Sequence, residues 1–164
     1  KVGIIGLGNV GQDLVSLLKG FGCKIFGHDV ADRSDFARRN GVTLTSLEDI
    51  LSFSDLVSLN TPLNETTSNL LNRELLNLMK PSAVLINFSR GGIVDQEAVR
   101  EMLQNRKLGG AAFDVFDEEP PLCLELLTEP RFFASGHIGG SSYEAIKAMG
   151  IAAINGLENF YISQ

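Results

Sequence analysis

An α/β fold with a doubly wound parallel sheet is predicted by three observations. Short apolar runs alternate with amphipathic stretches along the whole chain. Several of those runs are almost continuously apolar, as parallel strands covered on both faces must be. The first run flows directly into Gly6-x-Gly8-x-x-Gly11, a spacing that joins a strand to a helix. Strands are expected at residues 2–6, 24–29, 43–45, 55–60, 83–88, 110–115 and 132–135. Between them, helical spacing predicts helices over 10–19, 35–40, 47–53, 73–79 and 96–105. The last of these opens on Asp95 as N-cap, with Glu97 in its first turn. A closing helix, from 141 to about 161, repeats Ala145, Met149, Ala152, Ala153, Leu157 and Tyr161 at helical spacing, and Ser141 and Ser142 can cap it. Met79, Met102 and Met149 fall on apolar helical faces and are expected in the core. Right-handed crossovers then complete a single domain over 1–164, with Pro120-Pro121 as a rigid loop inside it.

Composition narrows the function classes. A chain of 164 residues buries roughly 70% of its unfolded surface, enough for one proper core. Its 44% hydrophobic and 21% charged residues are ordinary for a globular protein. A net charge of −6 argues against nucleic acid or an anionic membrane as partner. No apolar run approaches the roughly 20 residues of a membrane span, and no signal-peptide pattern opens the sequence, so the cytoplasm is expected. Cys23 and Cys123 stand alone, outside any CxxC pair or histidine cluster, and predict idle thiols and no metal site.

The glycine triplet has an acid in the expected place. Asp29 closes the second apolar run, eighteen residues after Gly11. Strand, triplet, helix and distant acid together form a dinucleotide-binding fingerprint, so the sheet is of Rossmann type. Gly6 permits the tight turn, Gly8 lets the backbone approach a pyrophosphate, and Gly11 lets the helix lie close on the strand. Asn9 and Val10 complete the phosphate turn, where free N–H groups and the helix dipole favour anions. Asp29 is suited to accept from both adenosine ribose hydroxyls and to repel a 2′-phosphate, which selects NAD over NADP.

Three further segments carry chemistry: Asn87 to Asp95 (Asn-Phe-Ser-Arg-Gly-Gly-Ile-Val-Asp), Gly110 to Pro120 (Gly-Ala-Ala-Phe-Asp-Val-Phe-Asp-Glu-Glu-Pro) and His137 to Ser141 (His-Ile-Gly-Gly-Ser). Arg90 follows a strand and therefore projects from the carboxyl edge of the sheet, where open α/β folds bind ligands. A guanidinium there can fork onto a carboxylate and polarise an adjacent keto oxygen, and Gly91-Gly92 leave room for it. His137 follows the last strand, and an imidazole changes protonation near neutrality, which suits an acid/base. Glu118 or Glu119 could bond that imidazole and fix its tautomer; the residues alone do not choose between them.

Together the segments resemble the D-isomer-specific 2-hydroxyacid dehydrogenase family over essentially the whole chain. His-Ile-Gly-Gly-Ser, Glu-Glu-Pro-Pro and Asn60-Thr-Pro-Leu are most similar to its phosphoglycerate dehydrogenase branch. The resemblance implies an active site of Arg90, Glu119 and His137, with the acid before proline favouring Glu119. It further implies that Asp114 bonds the nicotinamide carboxamide, that Thr61 and Pro62 border the adenine, and that Phe88 and Ser89 line the cofactor cleft. Gly139 and Gly140, after His137, complete the implied NAD contacts, while His28 has no family role and reads as a partly exposed structural histidine. The substrate implied is a small 2-hydroxy or 2-oxo acid, and the assembly implied is a homodimer. Two departures stand out: Ala134-Ser135-Gly136 replaces the usual threonine-proline before the histidine, and Asn60 replaces a frequent histidine. Members also carry a separate substrate domain, so this chain is expected to be the cofactor domain, with that second domain absent. A glyoxylate or hydroxypyruvate reductase, or an NAD-sensing corepressor of the C-terminal-binding-protein type, would share the same three residues; Asp29 speaks against an NADP-preferring reductase.

Overall fold

The computed structural model describes the backbone of residues 1–162 and the side chains of residues 1–157. Seven parallel strands form one sheet: β1 (Val2–Ile5), β2 (Ile25–His28), β3 (Thr43–Leu44), β4 (Leu56–Leu59), β5 (Val84–Asn87), β6 (Gly110–Phe113) and β7 (Phe132–Ala134). Their spatial order is β3-β2-β1-β4-β5-β6-β7. All seven predicted strands are present, each within two residues of its expected end. The chain walks outward from β1 to β3, then returns to the middle and walks the other way from β4. That reversal between β1 and β4 is the switch point at which open α/β sheets leave a crevice at their carboxyl ends.

The helices are α1 (Asn9–Leu18), α2 (Ser34–Asn40), α3 (Leu47–Phe53), α4 (Arg73–Leu76), α5 (Gln96–Gln104), α6 (Leu124–Leu127) and α7 (Tyr143–Ile162). Side-chain caps start four of them: Ser46 accepts from Asp49 N, Asn72 from Leu75 N, Asp95 from Ala98 N and Ser142 from Ala145 N. Helix α4 stops three residues early because Lys80 precedes Pro81, which disfavours helical backbone before it; Leu78 and Met79 instead donate to carbonyls three residues back. The single turn α6 escaped the sequence pattern, being too short to show a period.

Successive side chains of a strand point to opposite faces. Ile4 belongs to a cluster with Leu7, Val15, Ile25, Ala37 and Val42, whereas Ile5 belongs to one with Ile50, Leu51, Leu59, Leu85 and Phe113. The sheet is therefore covered on both faces. Met79 and Met102 are buried as expected. Met149 is not: it is 58% exposed on α7, beside the exposed Ile146, Ile154 and Leu157. Ser142 does cap α7 through Ala145 N, but the described side chains of the helix are exposed apart from the half-buried Ala145. Tyr161 falls outside the described side chains.

Gly11 shows why the first helix starts where it does. A Cβ there would lie 2.0 Å from the carbonyl oxygen of Gly6, so only glycine lets α1 lie this close to the strand end. Gly6 has φ +91°, and its Cβ would meet Asn60 O at 2.6 Å. Gly11→Ala is expected to lower stability by about 1–3 kcal/mol, the usual cost of overpacking. A urea midpoint equal to that of the unsubstituted chain would show that α1 does not need this approach.

Candidate active site

Two neighbouring cavities at the carboxyl edge gather part of the predicted site. The first, about 240 Å³, lies at the switch point and is lined by Gly6, Gly8, Asp29, Thr61 and Pro62 together with His28, Arg33 and Asn60. Gly8 is the N-cap of α1 and offers no side-chain cap, the first turn of the helix holds no acid, and a Cβ on Gly8 would meet nothing within 4 Å. The positive end of a ten-residue helix thus faces open space. In the same wall, Thr61 buries its Oγ1 without a hydrogen-bond partner. An uncapped helix start, an open glycine, an orphaned hydroxyl and a carboxylate fit the phosphates and ribose of a dinucleotide. Asn9 and the exposed Val10 occupy the first turn of α1, and Gly11 lies buried behind it.

Asp29 is more engaged than the sequence implies. Its Oδ2 accepts from Leu7 N (2.7 Å) and from Arg33 Nε (3.3 Å), and Oδ1 accepts from Ala31 N (2.8 Å). Burial pushes its pKa up, but the bonds from Ala31, Leu7 and Arg33 outweigh this and hold it below the ordinary aspartate value. Each carboxylate oxygen has two acceptor positions. Oδ1 keeps one open, while Oδ2 opens only when Arg33 swings aside. His28 is half-buried, with Nδ1 3.2 Å from Thr45 O, in keeping with a structural role.

The second cavity, about 260 Å³, brings together Arg90, Glu119 and His137, with Leu63, Gly91, Gly92, Phe116 and Asp117. Leu63 follows Pro62 of the first cavity, so the two adjoin along one loop. Arg90 sits on a turn organised by Asn87, the buried last residue of β5: Asn87 Oδ1 accepts from Ser89 N and Oγ, and its Nδ2 donates to Arg90 O. Phe88 is exposed on that turn. The Arg90 guanidinium is exposed and donates to Ser89 O (2.7 Å). His137 Nδ1 lies 2.8 Å from Glu119 Oε2, which chooses Glu119 over Glu118 as the partner of the ring. The bond from His137, with a second from Phe116 N, holds Glu119 below the usual glutamate range.

The sequence missed how His137 is held. The buried Asp114 accepts from Ser135 Oγ (2.6 Å) and Ile138 N (2.9 Å) on Oδ1, and from Gly139 N (2.8 Å) on Oδ2. Three donors on both sides of His137 thus converge on one carboxylate. His137 has φ +55°, a left-handed conformation that costs a side-chain-bearing residue about 1–2 kcal/mol. Asp114, Glu119 and His137 also share a further cavity, about 430 Å³, walled by Phe116, Pro120, Pro121 and Leu127. Phe88, Ser89, Asn9, Val10, Gly11, Gly139 and Gly140 do not line these cavities.

Comparison with known proteins agrees with this geometry. A family model described as "D-isomer specific 2-hydroxyacid dehydrogenase, NAD binding domain" matches residues 1–139. A D-3-phosphoglycerate dehydrogenase of Methanocaldococcus jannaschii is 39% identical over 91% of this chain, which spans 29% of that protein. A glyoxylate reductase of Pyrococcus furiosus is 37% identical over 90% of the chain, which spans 44% of its length. Among solved structures, the NAD-complexed D-isomer-specific 2-hydroxyacid dehydrogenase of Lactobacillus delbrueckii ssp. bulgaricus superposes with a TM-score of 0.86 at 27% identity, covering 99% of this chain and 53% of that one. No described helix is long and apolar enough to cross a membrane.

Burial pushes the Asp114 pKa up, and the bonds from Ser135, Ile138 N and Gly139 N bring it below the ordinary aspartate value. A carboxylate lowered by folding contributes stability above its unfolded pKa and loses it as pH falls through the folded one. Exchange protection of the Ile138 and Gly139 amides is therefore expected to hold from neutrality down to the ordinary aspartate range and to fail only below it. Loss of protection near neutrality would show that Asp114 does not hold the loop.

Proposed function

The chain belongs to the D-isomer-specific 2-hydroxyacid dehydrogenase family through its NAD-binding domain, and on that premise we propose that it supplies both cofactor site and acid/base for hydride transfer at C2 of a 2-hydroxy or 2-oxo acid. The observation that carries this reading is the His137–Glu119 pair in one cavity with Arg90. An ionised Glu119 can only accept, so Nδ1 of His137 carries the proton of that bond. Nε2 is then left with its lone pair free. During oxidation Nε2 takes the proton of the C2 hydroxyl, and during reduction it returns a proton to the keto oxygen. Glu119 fixes the ring and stabilises the imidazolium that forms. Arg90, once released from Ser89 O, forks onto the substrate carboxylate and draws charge from the neighbouring keto oxygen. NAD supplies the hydride acceptor. Gly6, Gly8 and the first turn of α1 would hold its pyrophosphate, Asp29 and Thr61 its adenosine end, and Asp114 positions the histidine loop beside it.

Within the family we favour a 3-phosphoglycerate dehydrogenase, supported by the His-Ile-Gly-Gly-Ser segment and the 39% identical relative. Glyoxylate reduction is the second reading, supported by the 37% identical relative. Rates on 3-phosphohydroxypyruvate and glyoxylate separate them.

In the intact protein, His137→Ala and Arg90→Ala are each expected to cost at least about 100-fold in turnover with NADH affinity nearly unchanged. Near-normal turnover in both variants would remove the assignment. A carboxylate at Asp29 should also make NADPH bind at least about tenfold more weakly than NADH, the scale of one unfavourable charge contact. Equal dissociation constants, measured by fluorescence titration, would take that role from Asp29.

A further inference from the structure

The Arg90 guanidinium is not anchored by any carboxylate among the described residues; its side-chain bond is to the carbonyl of its own neighbour. Its place in the cavity therefore comes from the backbone of its turn. Asn87 holds that turn at Arg90 O, from the β5 side. On the far side the restraint is Asp117, whose Oδ1 accepts from Gly92 N at 2.6 Å and from Gln96 Nε2 at 2.8 Å. The two loops are also in backbone contact, since a Cβ on Gly91 would lie 1.9 Å from Phe116 O and 2.8 Å from Asp117 N.

We propose that Asp117 is a positioning residue for Arg90: it docks the arginine turn onto the loop that bears Glu119 and so sets the span between guanidinium and imidazole. Asp117 stands two residues before Glu119, and Gly92 two residues after Arg90. One hydrogen bond thus ties the clamp to the support of the acid/base. The carboxylate also lines the cavity in which an anionic substrate would sit. Two donors on Oδ1 offset the charge there, which makes the bond, and not the charge, the useful property of the residue.

The inference rests on the role proposed for Arg90, and the test separates the two. In the intact protein, KM and kcat are measured with the best of glyoxylate, pyruvate and 3-phosphohydroxypyruvate, and binding of oxamate, an unreactive 2-oxo acid analogue, is measured on the NADH complex. Asp117→Ala is expected to raise both KM and the oxamate dissociation constant about tenfold while NADH affinity stays within about twofold. Asp117→Asn keeps Oδ1 as an acceptor and should recover most of the loss. In an Arg90→Ala background, Asp117→Ala should add less than about twofold, because the turn then has no guanidinium to aim. Unchanged KM in Asp117→Ala, a full tenfold loss persisting without Arg90, or parallel weakening of NADH binding would overturn the inference and leave the Arg90 assignment standing. Arg90→Ala with normal kinetics, or no turnover of any of the three acids, would instead remove that assignment and this inference with it.

Discussion

The arrangement of the candidate active site depends on one buried carboxylate, that of Asp114. It draws the Ser135 hydroxyl and the Ile138 and Gly139 amides onto its two oxygens, and so closes the loop around a left-handed His137. Two effects oppose this arrangement. Burial favours the neutral acid, and the left-handed backbone at His137 costs about 1–2 kcal/mol. Bonds to a charged acceptor contribute roughly 1.5–3 kcal/mol each, so three of them prevail, and Asp114 stays ionised. Gly136 adds a third cost, because a flexible residue before the histidine gives the unfolded loop about 0.4–1 kcal/mol more entropy to lose than a better-fitted residue would. The clamp compensates for the missing stiffness, and Ser135 keeps a hydroxyl where the resemblance expects threonine.

Sheet order explains why the loop after β6 does so much. β6 lies between β5 and β7, so its carboxyl-end loop is flanked by the Arg90 turn on one side and the His137 loop on the other. Three of its four acids divide the work accordingly. Asp114 holds the histidine loop, Asp117 holds the arginine turn, and Glu119 holds the imidazole ring. Such a cluster would normally repel itself. Here Asp114 and Asp117 accept backbone N–H groups, and Glu119 accepts from both a backbone amide and an imidazole. The loop can therefore be acidic and still order the Arg90 turn and the His137 ring.

Much of this was legible in the sequence because it depends on period and spacing. Apolar runs marked every strand, and Gly6-x-Gly8-x-x-Gly11 with Asp29 marked the cofactor end. What stayed hidden depends on where loops point their N–H groups. The resemblance implied Asp114 as a cofactor ligand, and nothing in its spacing reveals that residues 135–139 also turn donors onto it. Asp29 looked free for two ribose hydroxyls, yet Leu7 N and Arg33 occupy one of its oxygens. Met149 shows the converse limit. Its helical spacing is real, but a period reports which residues share a face and says nothing of whether another element covers that face.

The make-up of the Arg90 cavity bears on what the domain can recognise. Among the described residues its wall holds one guanidinium and one imidazole, with Asp117 and Glu119 already engaged. A carboxylate matches the guanidinium, and a hydroxyl or keto oxygen beside it matches the imidazole. A phosphate would need a further cation, and neither another arginine nor a lysine lines this cavity. A cavity so lined fits a carboxylate with an oxygen beside it and presents no second cation to a phosphate.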